Sequence, residues 1–425
     1  MAGRAARRHG DVTGFQLVAL VVTLTAALAY INARFLRLPP QIGLMVLALA
    51  VSLGVVVLDA AGVIEAWRIH ELIGRVDFGP TVMHGLLGLL LFAGALHLDV
   101  RELAAQRAPV LVLSVVGTVL STLLVGGAMY AVLGALGRDV DLLDAMLFGA
   151  LISPTDPIAV LGALKTADVP RALAVQISGE SLFNDGVGVV LFVILLEVDA
   201  GSHVTAGDAL LLFAREALGG AAYGFALGVV GNRLLRGTPD YAVEVLVTLG
   251  LAIGGYAAGE LLGVSAPIGA VVAGIVVGNR PRSSDADPAR PLERFWELVD
   301  EVLNAVLFLL LGLEATRLRV SAALAVAAAA AVAIVLAARA ASVAASLAAV
   351  RVVAGRRPEP HALAILTWSG LRGGLSVALA LSLEPGAQRD QLLVMTYAVV
   401  AFAILVQGLT LPALLRRLGL AAGSA

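Results

Sequence analysis

From Thr13 to Leu415 the chain is a succession of long apolar runs, separated by short segments that carry charge, proline or glycine. That feature leaves few folds open. In hydrocarbon every backbone N–H and C=O must be satisfied within the chain, which only helices and closed barrels achieve. A barrel would show ten-residue segments of alternating hydropathy, not continuous runs of 18 or more. The sequence therefore predicts an all-α polytopic membrane protein. The 425 residues are 60% apolar; at about 20 residues per span that is material for about 12 or 13 spans. Only 14% of residues are charged, against about 25% in a soluble domain, so a large soluble enzyme is excluded. A net charge of −2 offers no basic face to nucleic acid. Without cysteine there is no disulfide, thiolate nucleophile or thiolate metal site. The six histidines are scattered, with no H-E-x-x-H, and neither a zinc site nor any resident cofactor is expected.

The runs give thirteen candidate spans, at about 13–33, 41–59, 80–98, 109–136, 143–164, 170–198, 206–235, 241–261, 264–279, 298–315, 319–350, 360–383 and 391–415. A single membrane domain, 13–415, thus lies between an N-terminal tail, 1–12, and a short cytoplasmic tail, 416–425. The first run is read as a retained span, with a cleaved signal peptide as the alternative. With the N-terminus outside, inside segments hold 17 of the 29 Lys and Arg and outside segments 9. The bias predicts N-out, C-in in the plasma (inner) membrane, against which only Arg4, Arg7 and Arg8 in the tail speak. Arg215, Arg339 and Arg372 fall inside spans, where a charge is expensive and points to function. Thirteen spans also permit two inverted six-helix repeats, 1–6 and 8–13, joined by span 7. Span 5 then corresponds to span 12.

Span 5 carries Ser153-Pro154-Thr155-Asp156-Pro157 in mid-run. Each proline lacks an N–H, which leaves carbonyls near 150 and 153 without helical donors. The residue before a proline resists the α conformation, so the helix should break. Irregular backbone at that depth must be buried or line a cavity, and open carbonyls beside a carboxylate suit a hard cation. A plain kink with Asp156 capping the second half-helix is the compatible alternative. Span 12 carries Ser369-Gly370-Leu371-Arg372-Gly373-Gly374, whose three glycines weaken a helix. It is the second candidate break, crossing the first in the core, and Arg372 is placed to neutralise half-helix carbonyls; close helix packing is the other reading of the glycines.

Span 6 carries Ser178-Gly179-Glu180-Ser181-Leu182-Phe183-Asn184-Asp185-Gly186. Ser181 and Asp185 are i, i+4 on one face, with Ser178 one turn above. Glu180 points about 140° away. Asp185 and Ser181 are therefore expected to face the site, and Glu180 to need a partner elsewhere. Arg339, alone in alanine-rich span 11, is the matching cation, which predicts a structural Glu180–Arg339 pair. Gly179, Gly186 and Gly188 are expected to let span 6 approach span 5. Gly219, Gly220 and Gly224 read as a packing motif in span 7, Asp144 and Glu244 as vestibule edges, and Arg215 and Glu216 as a local pair or an interface. No glycine pattern around Lys165 supports a nucleotide site.

Together these motifs resemble the NhaP-type sodium–proton exchanger branch of the monovalent cation:proton antiporters. The marks are Thr155-Asp156-Pro157, Gly179-Glu180-Ser181-Leu182-Phe183-Asn184-Asp185-Gly186, Phe308-Leu309-Leu310-Leu311-Gly312-Leu313-Glu314, Gly370-Leu371-Arg372-Gly373-Gly374 and, earlier, Leu90-Leu91-Phe92-Ala93-Gly94-Ala95-Leu96. Their order and spacing match from about residue 80 onward. The resemblance implies thirteen helices, an inverted repeat and a homodimer. It implies a transport core of about 109–198 and 319–415, a dimerisation part of about 13–98 and 241–315, and a linker helix of about 206–235. It also implies that Asp185 and Asp156 hold the ion with Ser181 and Thr155, that Asn184 steadies the broken helix, and that Glu180 pairs with Arg339. Several relatives carry an acid where this chain has Ala93, so a ligand from span 3 is not expected, and neither is regulation through a long tail.

The implied activity is exchange of Na⁺, or Li⁺, for H⁺ in pH homeostasis, not enzymatic catalysis. One carboxylate site takes either a cation or a proton, and an empty charged site is too costly to carry across. With Asn184 in place of an acid, and Glu180–Arg339 internally neutral, one-for-one electroneutral exchange is the simplest count. A K⁺/H⁺ antiporter would share nearly every motif. A cation channel would lack proton coupling, and an intramembrane hydrolase with an Asp156–Asp185 dyad would lack its protease signature.

Overall fold

The computed structural model describes residues 14–62, 85–280 and 291–420, apart from 139, 158–159, 161, 163, 165–166, 200–204, 238–239, 316–317, 319–320 and 356. The N-terminal tail with Arg4, Arg7 and Arg8, residues 80–84 of the third predicted span, residues 421–425, and Arg68, Arg75, Lys165, Arg282, Arg290, Arg317, Arg319 and Arg356 lie outside the described residues.

Among the described residues the regular elements are helices: α1 (Gly14–Ile31), α2 (Pro40–Ala60), α3 (Leu87–Leu96), α4 (Val100–Ala105), α5 (Arg107–Ala135), α6 (Leu142–Ile152), α7 (Arg171–Asp199), α8 (Ala206–Arg236), α9 (Tyr241–Leu261), α10 (Ala266–Gly278), α11 (Pro291–Glu314), α12 (Ala322–Ala354), α13 (Ala362–Trp368), α14 (Gly374–Leu381) and α15 (Ala387–Arg417). Among the described residues, eight helical stretches are long and apolar enough to cross a membrane. Three shorter apolar helices are α3, α6 and α10. The short ones have local causes. α6 stops after 11 residues, at the first proline of the Ser153–Pro157 segment. α13 and α14 are the two pieces of predicted span 12, parted at Ser369–Gly373. Starts follow side-chain caps: Asp141 accepts from the N–H of Leu142 at α6, Ser265 from Ile268 at α10, and Ser321 from Leu324 at α12. Gly355, left-handed at φ 63°, ends α12.

The chain forms two compact units. The smaller, drawn from Met1–Phe78 and Ala305–Arg317, holds α1, α2 and the end of α11. Leu28, Ala48 and Leu309 are its buried cluster, and the Ser52 hydroxyl donates to the Gly312 carbonyl at 2.6 Å. The larger, Gly79–Asn304 with Leu318–Ala425, holds the rest. Its helices approach through glycine, as expected where hydrocarbon offers no hydrophobic drive. In α8, Gly220 and Gly224 lie against the backbones of Ser265 and Gly269, and Gly228 extends this contact with α10 one turn further. Trp296, fully buried, sits 4.9 Å from Phe92 and donates to the Thr248 hydroxyl. Ala93 lies in that same apolar cluster.

α5 and α6 approach each other closely through Gly149. A Cβ on Gly149 would run into the Thr122 carbonyl and stand 3.1 Å from the Gly126 nitrogen, both backbone atoms. Gly149→Val should therefore destabilise the protein by about 1–3 kcal/mol, read as a lower thermal midpoint in detergent. An unchanged midpoint would show that the two helices part there without cost.

Candidate functional site

The first break follows from the two prolines. α6 ends at Ile152, and residues 154–157 have no regular structure. The Ser153 hydroxyl donates back to the Gly149 carbonyl at 2.7 Å and accepts from Thr122. Beyond it the chain relies on other elements. The Thr155 N–H donates to Asn184 Oδ1 at 3.2 Å, Asn184 Nδ2 donates to Thr155 Oγ1 at 2.8 Å, and Thr155 Oγ1 lies 3.0 Å from Ser181 Oγ. The Asp156 N–H donates to the Leu371 carbonyl at 2.8 Å.

That last bond reaches the second break, Ser369–Gly373. Arg372, 1% exposed, sends Nη1 back to the carbonyls of Ser153 and Pro154, the latter at 2.9 Å. Pro157 would have left the Ser153 carbonyl without a helical donor, and Arg372 supplies it. The two irregular segments are thus bonded to each other in both directions. The glycines between α13 and α14 serve as clearance. A Cβ on Gly373 would stand 2.5 Å from Asp156 Oδ2, and one on Gly370 would stand 2.6 Å from Arg339 Nε.

α7 is continuous and presents the remaining polar groups. Asp185 is half-buried, as is Asp156, and each is within electrostatic reach of the other; Arg372 is within reach of Asp185. Ser181, on the same face, is bound to Thr155, whereas Ser178 turns back to the Ala174 carbonyl of its own helix at 3.0 Å. One expectation needs correcting. Of the three glycines expected to admit span 5, only Gly188 does so, under the Pro154 ring. Gly179 faces Leu103 and Val110, and Gly186 faces Ile268 of α10. At 100° per residue, positions 179, 186 and 188 cannot all share one neighbour.

Glu180, 1% exposed, points away from the aspartates and pairs with Arg339 through both oxygens, Oε2 to Nη2 at 2.9 Å. Arg339 also donates from Nε and Nη2 to the Leu366 carbonyl, at 3.2 and 2.9 Å. That carbonyl lies in the last turn of α13, so Arg339 joins α7, α12 and the rim of the second break. Removing one partner of such a pair strands a buried charge, at a cost of about 3–5 kcal/mol. Arg339→Ala should lower yield and thermal midpoint sharply, and Glu180→Gln in the same chain should restore part of the loss. A stable, fully assembled Arg339→Ala protein would refute the structural role.

Asp300 is a further acid that the motif reading missed. It lies half-buried on α11, accepts from Asn304 Nδ2 at 3.1 Å, and is within electrostatic reach of Asp156 and His97. The signal was present as an acid two residues into predicted span 10 with an amide one turn on. Of the residues expected at vestibule edges, Glu244 is bound to Arg280 at 3.1 Å and Asp144 accepts from Gln388 at 2.7 Å. Arg215 is exposed on α8, while Glu216 lines a pocket with Glu197 and Glu260.

The chain is similar to known proteins over most of its length. The family described as sodium/hydrogen exchanger, transmembrane, matches residues 21–417. The Na⁺/H⁺ antiporter NhaP of Pseudomonas aeruginosa is 45% identical over 409 residues, 95% of this chain and 96% of that one. The Na⁺/H⁺ antiporter NhaH of Halobacillus dabanensis is 34% identical, over 97% of this chain and all of its own length. The solved structure of the sodium proton antiporter MjNhaP1 from Methanocaldococcus jannaschii, 17% identical, superposes with a TM-score of 0.72 over 95% of this chain and 98% of that one. The fold is therefore that of an all-helical membrane transporter, and the chain belongs to the sodium/hydrogen exchanger family.

Proposed function

We propose that the chain is a secondary active transporter that exchanges Na⁺ for H⁺ across the bacterial plasma membrane at a site built on Asp185 and Asp156. The observation that carries this reading is the meeting of two broken helices beside these half-buried carboxylates, next to a buried arginine. Family membership and the relatives named as Na⁺/H⁺ antiporters support the cation and the coupling. Thr155 and Ser181, already bonded to each other, are the additional oxygen ligands. Asn184 holds the first break on α7, and Arg372 holds its open carbonyls.

One site then serves two cargoes. With Asp185 ionised, it accepts a dehydrated monovalent cation. With Asp185 protonated, it releases the cation and crosses with the same net charge as the cation-loaded site. An ionised, empty site would carry uncompensated charge through the hydrocarbon, a state too costly to populate. Exchange is thereby coupled without a separate device. Asn184 carries no proton and Glu180 is neutralised by Arg339, so the count is one H⁺ for one cation.

The wider architecture in this proposal is thirteen spans in two inverted repeats, N-terminus outside and C-terminus inside. Predicted spans 5 and 12 hold the two breaks, as the repeat requires. The core of about 109–198 and 319–415 moves against the part formed by about 13–98 and 241–315, with 206–235 linking them, in a homodimer.

Reconstituted in vesicles with an inside-acid pH gradient, wild type should dissipate the gradient on addition of Na⁺. Asp185→Asn should do so no faster than empty vesicles while it remains folded and monodisperse. Collapse by K⁺ but not Na⁺ would overturn the cation assignment, and an active Asp185→Asn would overturn the site. At zero pH gradient an imposed membrane potential should leave Na⁺ uptake unchanged; voltage-driven uptake would exclude one-for-one exchange.

A further inference from the structure

Outside the proposed ion site, the helices at the second break enclose a groove that the transport reading does not use. It has a volume of about 750 Å³ and lies between α13 and the end of α15. Leu363, Ala364, Trp368, Ala413 and Leu414 form most of its wall. Two of the polar groups lining it are engaged with each other. The Trp368 indole N–H donates to Thr410 Oγ1 at 3.0 Å, and the Thr410 hydroxyl donates to the Val406 carbonyl. Thr367 Oγ1 is buried there without a hydrogen-bond partner among the described residues, and most of the remaining wall is apolar surface.

Its two ends differ. The Trp368–Thr410 bond marks one. Seven residues away on each helix, about 10 Å at 1.5 Å per residue, are His361 and Arg417, which also line the groove. They stand in a basic surrounding. Arg351, Arg357 and Arg416 are exposed in the neighbouring sequence, Glu359 is the acid between 351 and 361, and none occurs between 409 and 420. An apolar trough with cationic groups at one mouth, on a chain that spans a membrane, complements an amphiphile with a negative head.

We infer that this groove binds one anionic phospholipid, with an acyl chain along Trp368 and the phosphate at Arg417 and His361. Charge selects the occupant. A zwitterionic lipid gains little from an arginine, whereas an anionic one gains at the membrane surface. The tryptophan suits the place, since its ring accepts an apolar chain while its N–H is satisfied. The site also reaches the transport machinery. Trp368 is the last residue of α13 before the second break, and its carbonyl accepts from Gln407 Nε2 at 3.2 Å. A chain pressed on Trp368 therefore bears on the segment that carries Arg372. The inference rests on the membrane setting alone and is independent of which cation is exchanged.

The test uses the full-length protein in phosphatidylcholine vesicles. A small, equal mole fraction of brominated phosphatidylglycerol or brominated phosphatidylcholine is introduced, and tryptophan quenching is read. The chain has three tryptophans, and Trp296 is fully buried, so the difference between wild type and Trp368→Phe isolates the Trp368 share. The expected result is stronger quenching of Trp368 by the anionic lipid. Arg417→Gln, on an exposed side chain, should reduce that preference about fivefold. Ala364→Leu, which fills the trough, should reduce quenching by both lipids. Equal quenching by the two lipids in wild type would mean ordinary boundary lipid and would overturn the inference. So would a Trp368 share of zero, or a preference that survives Arg417→Gln unchanged.

Discussion

A broken helix in hydrocarbon must find partners for every backbone group it opens, and here each of two breaks supplies what the other lacks. The prolines of the first segment deprive the Ser153 carbonyl of a helical donor, and the Arg372 guanidinium from the second takes that place and adds the Pro154 carbonyl. The second segment exposes the Leu371 carbonyl, and the Asp156 N–H from the first occupies it. Neither segment would be tolerable at this depth alone. Their mutual satisfaction fixes where they meet, and so fixes the position of the carboxylate between them.

The charges inside this core divide by their partners. Glu180 and Arg339 neutralise one another through two bonds, and the remaining donors of Arg339 reach the carbonyl of Leu366. That pair ties helices together and leaves little ionic capacity for a cargo. Asp156 and Asp185 are within electrostatic reach of each other with a cation, Arg372, in reach of Asp185, and both are half-buried. Five residues, about 1.4 helical turns, separate a structural acid from the proposed transport acid. The separation arises from helical geometry alone, because residues five apart in α7 point to different neighbours.

Much of this was readable from residue types. Proline in mid-span marked the first break, and the glycine-rich run marked the second. An unpaired glutamate and an isolated arginine marked each other, because a lone charge in hydrocarbon has so few ways to survive. What was not readable is which neighbour each small residue serves. Gly370 and Gly373 look in sequence like helix weakeners or packing glycines. In the fold they make room for the Arg339 and Asp156 side chains. Gly179 and Gly186 turned out to face α5 and α10 for the same reason: periodicity gives directions about one helix axis, not the identity of the helix opposite. Asp300 escaped because its association with Asp156 comes from a helix far away in sequence, and no local motif encodes it.

The manner in which the first break is anchored has a consequence for any movement of the site. Thr155 is bonded to Asn184 twice and to Ser181 once, all on α7 within four residues of Asp185. Gly188 on the same helix receives the Pro154 ring. The segment with Asp156 is therefore fastened to α7 by side chains, while its own helical ladder is interrupted on either side. Rearrangement of α6 can be absorbed at the prolines without pulling Asp156 from Asp185. In the proposed exchange, an Asp156 segment fastened to α7 in this way keeps the same oxygen ligands beside Asp185 whichever side the site faces, so any difference in affinity between the two sides must come from the surrounding helices and not from the carboxylates.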